Sequence, residues 1–140
     1  MEPEPRWLTA SDFGKLILRL GVGGLMLIHG IAKIQGGIDP IVQAVKAHGL
    51  PDQLAYGVYA GEVAAPALII LGLLTRLGGL LVAGNMAFAV YLAHLDQLGV
   101  VVDGGGWALE LQGLYFAGGL ALLFLGAGKI GLAAGKAPWD

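Results

Sequence analysis

The run Leu77-Gly78-Gly79-Leu80-Leu81-Val82-Ala83-Gly84-Asn85-Met86-Ala87-Phe88-Ala89-Val90-Tyr91-Leu92-Ala93-His94-Leu95 holds no Asp, Glu, Lys or Arg. A helix of about 20 apolar residues spans roughly 30 Å of hydrocarbon, and a buried helix of a soluble protein is seldom both that long and that uniform. The run therefore predicts a transmembrane helix. Leu54–Leu74 precedes it across Leu74-Thr75-Arg76, a junction too tight for anything but an antiparallel hairpin. Trp107–Leu125 follows it across a polar loop with Asp96, Asp103 and Gly104-Gly105-Gly106, and Lys15–Lys33 comes first of all. The expectation is an all-α membrane protein. It forms a single domain over residues 1–140, with four transmembrane helices in an antiparallel bundle.

Composition agrees with this. Of 140 residues 56% are hydrophobic and 13% charged, which leaves too little polar surface for a soluble domain of this size. A net charge of −2 offers no basic field for nucleic acid, so the expected partners are the lipid bilayer, a small ligand or another protein. The lack of cysteine excludes dithiol exchange, thiolate metal sites, iron–sulfur ligation and disulfides. Any redox role must then borrow its cofactor. The first apolar run leads into Lys33 and not into a small-residue cleavage pattern, so the first helix is expected to stay in the mature protein. Gly104-Gly105-Gly106 is not followed by the Lys or Ser/Thr of a phosphate cradle and reads as a flexible turn.

The loop from Ile34 to Gln53 carries more information. Asp39-Pro40 reads as an N-cap followed by proline at the first helical position, and Gly49 stands where a left-handed residue ends a helix. Ile41, Val42 and Val45 share one face, with Gln43 and Lys46 away from it. A short helix results, either lying in the membrane interface or packed as a small lid.

Basic residues set the orientation. Arg6, Lys15, Arg19, Arg76, Lys129 and Lys136 fall on one side, and Lys33 and Lys46 on the other. The excess of positive charge predicts a multi-pass plasma-membrane protein with both termini cytoplasmic. Trp7 and Trp139 would then lie at the inner interface, and Tyr56, Tyr59, Tyr91 and Trp107 at the outer one.

Chemistry must come from polar residues at membrane depth. Lys15, Arg19, His29 and Lys33 fall within an arc of roughly 120° on the first helix, with Val22 and Met26 completing the stripe, so this face should point inward. Glu62 lies roughly 12 Å from the outer end of the second helix, and Glu110 just inside the outer end of the fourth. His29, Lys33, Glu62 and Glu110 thus gather in the outer half as candidates for ligand binding or proton relay. Arg19 and Arg76 are the structural charges. A register-fixing network of Arg19, Glu62 and Glu110 is the bland reading of the buried charges, and headgroup anchoring is the simplest role for the two arginines. Depth makes Lys33 or His29 the nearer partner of Glu62. Pro66 removes the hydrogen bond to the Glu62 carbonyl, so the helix should bend or loosen there, as helices at ligand sites in membranes often do.

Other chemistries find less support. A haem between His29 and His94 is conceivable, but helical geometry puts His94 roughly 180° around from Asn85, pointing outward. No paired histidine spacing supports a metal site, and Thr9, Ser11 and Thr75 lie away from any histidine-plus-acid set. Gly113, Ala117 and Ala121 on the fourth helix and Gly79 and Ala83 on the third repeat every four residues, the spacing that lets helices approach closely inside a bundle. Whether copies also associate into an oligomer is left open by this pattern.

Leu18-Arg19-Leu20 through His29-Gly30 to Lys33, Gly49-Leu50-Pro51, Gly61-Glu62 and Leu71-Gly72-Leu73-Leu74-Thr75-Arg76, together with Met86 and Glu110, resemble the pattern of the DoxX family of small four-helix membrane proteins. The chain departs from that pattern at its end. There Gly128-Lys129-Ile130-Gly131-Leu132-Ala133 keeps only the start of a Gly-Lys/Arg-Tyr-Ser-Leu-Asp type segment. The resemblance implies a link to membrane redox, since one DoxX-type protein is the small subunit of a thiosulfate:quinone oxidoreductase. Carried onto this sequence, the positions concerned are Arg19, His29, Lys33, Glu62, Arg76 and Glu110. The implied function is a small membrane subunit associated with a quinone-linked oxidoreductase, with quinone as the cofactor and a protein partner in the complex. The alternatives are a non-catalytic scaffold or assembly factor for a redox complex, and a small transporter or channel.

Overall fold

The computed structural model describes residues 7–133 and 136–140; Arg6, counted above among the basic residues, lies outside them. Helix α1 (Ala10–Gly36) starts ahead of the expected Lys15 because Thr9 and Asp12 form a reciprocal cap. The Thr9 hydroxyl accepts from the Asp12 N–H at 3.2 Å, and the Asp12 carboxylate accepts from the Thr9 N–H at 2.9 Å. Helix α2 (Asp39–Ala47) is followed by Gly49 at φ +69°, as its sequence predicts, but Asp39 is its first residue and not its cap: Ile38 stands at the cap position, no side chain caps the helix, and Pro40 comes second.

Helix α3 (Asp52–Leu71) opens as a tight 3₁₀ turn over Asp52–Tyr56 and widens into a π-helical turn over Ala60–Ala64. The cause is Pro66. Without its N–H the ordinary bond to the Glu62 carbonyl cannot form, and the turn relaxes to the wider spacing. Gly72, left-handed at φ +67°, ends α3, and α4 (Thr75–Ala93) begins almost at once. Helix α5 (Glu110–Leu125) starts later than the expected Trp107. Trp107 is held by an isolated antiparallel bridge to Val101, with Ala108 N–H donating to the Val100 carbonyl at 3.0 Å, so its backbone belongs to the loop. Among the described residues the regular structure is all helical. Helices α1, α3 and α4 are long and apolar enough to cross a membrane, and α5 is a shorter apolar helix of 16 residues.

Helices α4 and α5 pack most extensively, while α1 lies against α3 and α5, and α3 against α4. Glycine sets the closest crossing. A Cβ on Gly79 would sit 2.4 Å from the Gly119 carbonyl oxygen, and one on Gly119 would sit 2.6 Å from that of Gly79. Gly79 and Ala83 thus behave as their spacing predicts, but on α5 the contact is made by Gly119, Leu122 and Leu123, while Gly118 faces Val22 of α1. The Gly113, Ala117, Ala121 repeat is not the seam: Gly113 lies under Trp107 and Ala117 is exposed. Val22, Met26, Ala65, Ile69, Val82, Met86, Tyr115 and Leu122 form the central core. A second cluster, Ile38, Val45, Ala55 and Val58, seats the apolar face of α2 on α3, with Phe88 and Leu92 of α4 beside it. Facing outward are Ile17, Ile28, Leu114 and Phe124, all more than 60% exposed, an apolar exterior that suits lipid.

Among the described residues neither arginine joins an ion-pair network. Arg19 is 1% exposed and turns its guanidinium onto backbone carbonyls: Nε donates to Ile69 at 2.8 Å, Nη2 to Ile70 at 2.9 Å, and Nη1 to Ala127 at 3.1 Å and to Ile130. Arg76 does the same for α5, with Nη1 donating to Leu123 at 2.8 Å and Phe124 at 2.7 Å, and Nε to the Asp140 carbonyl at 3.0 Å. Each cation donates to carbonyls in the last turn of a helix, and each lies at the negative end of that helix's dipole. The register network expected of Arg19, Glu62 and Glu110 does not form, because Arg19 directs four hydrogen bonds to these carbonyls. Around them the final segment folds back, with Asp140 accepting from the Leu74 N–H at 2.5 Å and the Trp139 carbonyl accepting from the Arg76 N–H at 2.8 Å.

Candidate functional site

Glu62 lies on the widened turn of α3 and is 5% exposed. Lys33, near the end of α1, reaches it with Nζ 2.5 Å from Oε2, while the Asn85 amide of α4 donates to Oε1 at 3.1 Å. Three helices thus converge on one carboxylate. The approach of α1 depends on Gly30, where a Cβ would lie 2.0 Å from the Glu62 carbonyl oxygen, the same oxygen that Pro66 leaves without its helical donor. Gly61 plays the matching part toward α4, since a Cβ there would lie 2.4 Å from the Asn85 Cβ. Tyr59 completes the clasp by donating its hydroxyl to the Lys33 carbonyl at 3.4 Å.

The ion pair forms a wall common to two cavities. One, of about 240 Å³, lies under α2 and is lined by Ile41, Ala44, Leu54, Val58, Phe88 and Leu92 besides Lys33, Glu62 and Asn85. The other, of about 180 Å³, lies between α1, α4 and α5 and is more polar, with His29, Gln112 and Tyr115 added to Lys33 and Glu62. His94 borders both. This overturns the expectation that His94 points away from Asn85. Helix α4 ends at Ala93, and His94, at φ −135°, has left the helical path, so the 100° step no longer places its side chain.

Of the four residues expected to share the site, the structure brings together His29, Lys33 and Glu62. His29 sets its ring edge-on to Tyr115 with centroids 6.0 Å apart. Glu110 is not among the residues that wall the two cavities; it is exposed in the first turn of α5, its carboxylate beside Gly106. With the helix starting at Glu110, the carboxylate occupies the N-terminal position that a helix dipole favours. Asn85, Gln112 and Tyr115 were not singled out in the sequence as site residues. The signal that would have found Asn85 is its place as the one strongly polar residue deep in a run otherwise free of charge.

If Glu62 chiefly neutralises Lys33, Glu62→Gln should lower the thermal midpoint in detergent and a second change, Lys33→Gln, should recover part of the loss. The expected cost is on the order of 2 kcal/mol, below that of a fully buried pair because the Lys33 side chain is 27% exposed. Strictly additive losses in the double variant would rule the coupling out.

Comparison with known proteins gives a consistent picture. The chain is 33% identical over 84 residues to a Bacillus subtilis (strain 168) protein named "Putative oxidoreductase CatD", a match that covers 60% of this chain and 62% of that protein. It is also 33% identical over 119 residues to a Haemophilus influenzae protein named "Uncharacterized protein", over 82% of this chain and 84% of the other. No solved structure matches it. Residues 14–95, which carry Arg19, the Lys33–Glu62 pair, Asn85 and His94, match the DoxX family model, and this multi-pass membrane protein belongs to the DoxX family.

Proposed function

We propose that the chain is a small membrane subunit associated with a quinone-linked oxidoreductase, and that Lys33, Glu62 and Asn85 hold the ring of the quinone. The observation that carries this reading is the charged pair at the common wall of two cavities. Ionisable groups are expensive in a bilayer and are kept where they pair, line a cavity or act on a ligand. Here they do the first two, and the third follows from the chemistry of the donors. The Lys33 ammonium and the Asn85 amide donate to carbonyl oxygens, and the Glu62 carboxylate accepts from a hydroxyl or holds a proton beside one. A cavity of about 240 Å³ with apolar walls has room for a single ring and none for a porphyrin. A bound quinone supplies two-electron acceptor chemistry, and the electrons come from a protein partner in the complex. The name of the Bacillus subtilis relative points the same way.

Within this reading the helices form an antiparallel four-helix bundle in the plasma membrane, and Pro40, Ile41 and Ala44 of α2 make it a lid on the cavity. Glu62→Gln should weaken binding of a tail-less hydroquinone, whose hydroxyl the carboxylate can accept from, by about ten-fold, the equivalent of one lost charge-assisted hydrogen bond. Titration of the protein in lipid nanodiscs measures it. Undiminished binding to the variant, or no binding to the native chain, would remove the proposed role.

The site lies toward the outer face in this reading. Single cysteines at Gln35 and Asp103 should label from outside in intact cells, and one at Leu73 should not. Leu73 is exposed, whereas its neighbour Thr75 is fully buried and would stay unlabelled on either side. Labelling of Leu73→Cys from outside would invert the orientation.

A further inference from the structure

The ring cavity is badly placed to take up protons. Its walls are apolar apart from Lys33, Glu62, Asn85 and His94, and Pro40, Ile41 and Ala44 of α2 lie over it. Yet two protons must accompany the two electrons that a partner delivers, one for each carbonyl oxygen of the ring. The second cavity offers what the first lacks. It shares Lys33, Glu62, Ala89 and His94 with the ring cavity and continues beyond them to His29, Gln112 and Tyr115. Its edge reaches the surface, because His29 and Leu111 both wall it and are both exposed. At about 180 Å³ it has room for several waters, and its side chains supply the two to four polar partners that each buried water needs. At the boundary between the cavities the His94 Nδ1 is buried and has no hydrogen-bond partner among the described residues, which leaves the imidazole available to carry a proton.

We infer that the polar cavity is the hydrated proton inlet of the ring site, an inference that rests on the head-group reading above. Water enters past His29, and Glu62 stands at the inner end. A Glu62 carboxylate oxygen takes a proton from this water, and the carboxyl gives its O–H proton to the ring oxygen beside it. The carboxylate then returns to its pairing with Lys33. Repeated once, this supplies both protons and leaves the chain as it began, while both electrons come from the partner. The titratable groups in these walls are His29 and Lys33 of α1, Glu62 of α3, His94 just beyond α4 and Tyr115 of α5. Of these, Glu62 and His94 face both cavities and can act as general acid and base, and Lys33 is held as the partner of Glu62.

Hydroxyl radicals made in bound water by short X-ray pulses mark the methionine, tyrosine and histidine side chains that touch it, and Met26, Met86, Tyr115 and His29 all wall this cavity. In the full chain in phosphatidylcholine nanodiscs, Met26 and Tyr115, which are 1% and 8% exposed, are expected to be oxidised at rates comparable to that of the exposed Tyr56. The second measurement is kinetic. With tail-less benzoquinone bound and dithionite as the electron donor in place of the partner, His29→Leu should slow reduction of the bound ring several-fold in stopped flow. Imidazole added to the buffer should restore the rate, and the affinity for benzoquinone should stay unchanged. Met26 and Tyr115 left unmarked while Tyr56 is marked would mean a dry cavity, which overturns the inlet and leaves the head-group reading standing. A His29→Leu rate equal to the native one, or a slow one that imidazole does not restore, has the same consequence. Loss of affinity along with rate would make His29 a ring-binding residue, and it too overturns the inlet. A native chain that binds no benzoquinone removes the head-group reading, and the inlet falls with it.

Discussion

Arg19→Met is expected to cost about 3–5 kcal/mol, enough to keep most of the protein from accumulating in the membrane. The variant keeps an unbranched apolar stem and loses every donor, so the carbonyls of Ile69, Ile70, Ala127 and Ile130 are left facing one another across a buried space. Arg19→Lys should rescue only a part, since one ammonium cannot present a planar fork to acceptors on two segments. The thermal midpoint in mild detergent, with yield as a second measure, decides the matter. A methionine variant as stable as the native chain would mean that water satisfies these carbonyls equally well.

The second large effect is expected at Gly30. A Cβ there would overlap the Glu62 carbonyl, which is backbone and cannot swing aside as the nearby Val63 side chain can. Gly30→Val must push α1 away from α3, at a cost of about 1–3 kcal/mol or more for overpacking. It should also pull Lys33 out of reach of Glu62. The variant is therefore expected to lower the thermal midpoint and, in the same preparation, to lose the coupling between Glu62→Gln and Lys33→Gln. Gly24→Val, at a position of α1 with open space around it, is the control for helix propensity alone. Equal losses from the two valines would show that the close approach at Gly30 carries no special weight.

The Lys33–Glu62 pair was legible because depth along a helix follows from residue counting, at 1.5 Å per residue. So was the disturbance at Pro66, because a missing N–H is written in the residue type. Counting failed where the chain leaves regular geometry. Glu110 was expected near the pair on the strength of a helix starting at Trp107, but the loop bridge to Val101 delays that start and leaves the carboxylate exposed. His94 was misplaced for the same reason, one residue beyond the end of α4. Arg19 shows a different limit. Its partners are main-chain carbonyls, which every residue possesses, so no side-chain pattern could announce them and a carboxylate partner was the natural but mistaken choice.

The acceptors of Arg19 also impose an order on biosynthesis. Helix α1 is translated first, yet two of the four carbonyls that satisfy its guanidinium belong to Ala127 and Ile130, more than a hundred positions later in the chain. A nascent first helix that entered lipid alone would carry an unsatisfied cation, at roughly 2.5–3.5 kcal/mol on the scale for insertion through the translocon. The acceptors in α3 meet half of that demand, and the set is complete only once the segment through Ile130 has been made.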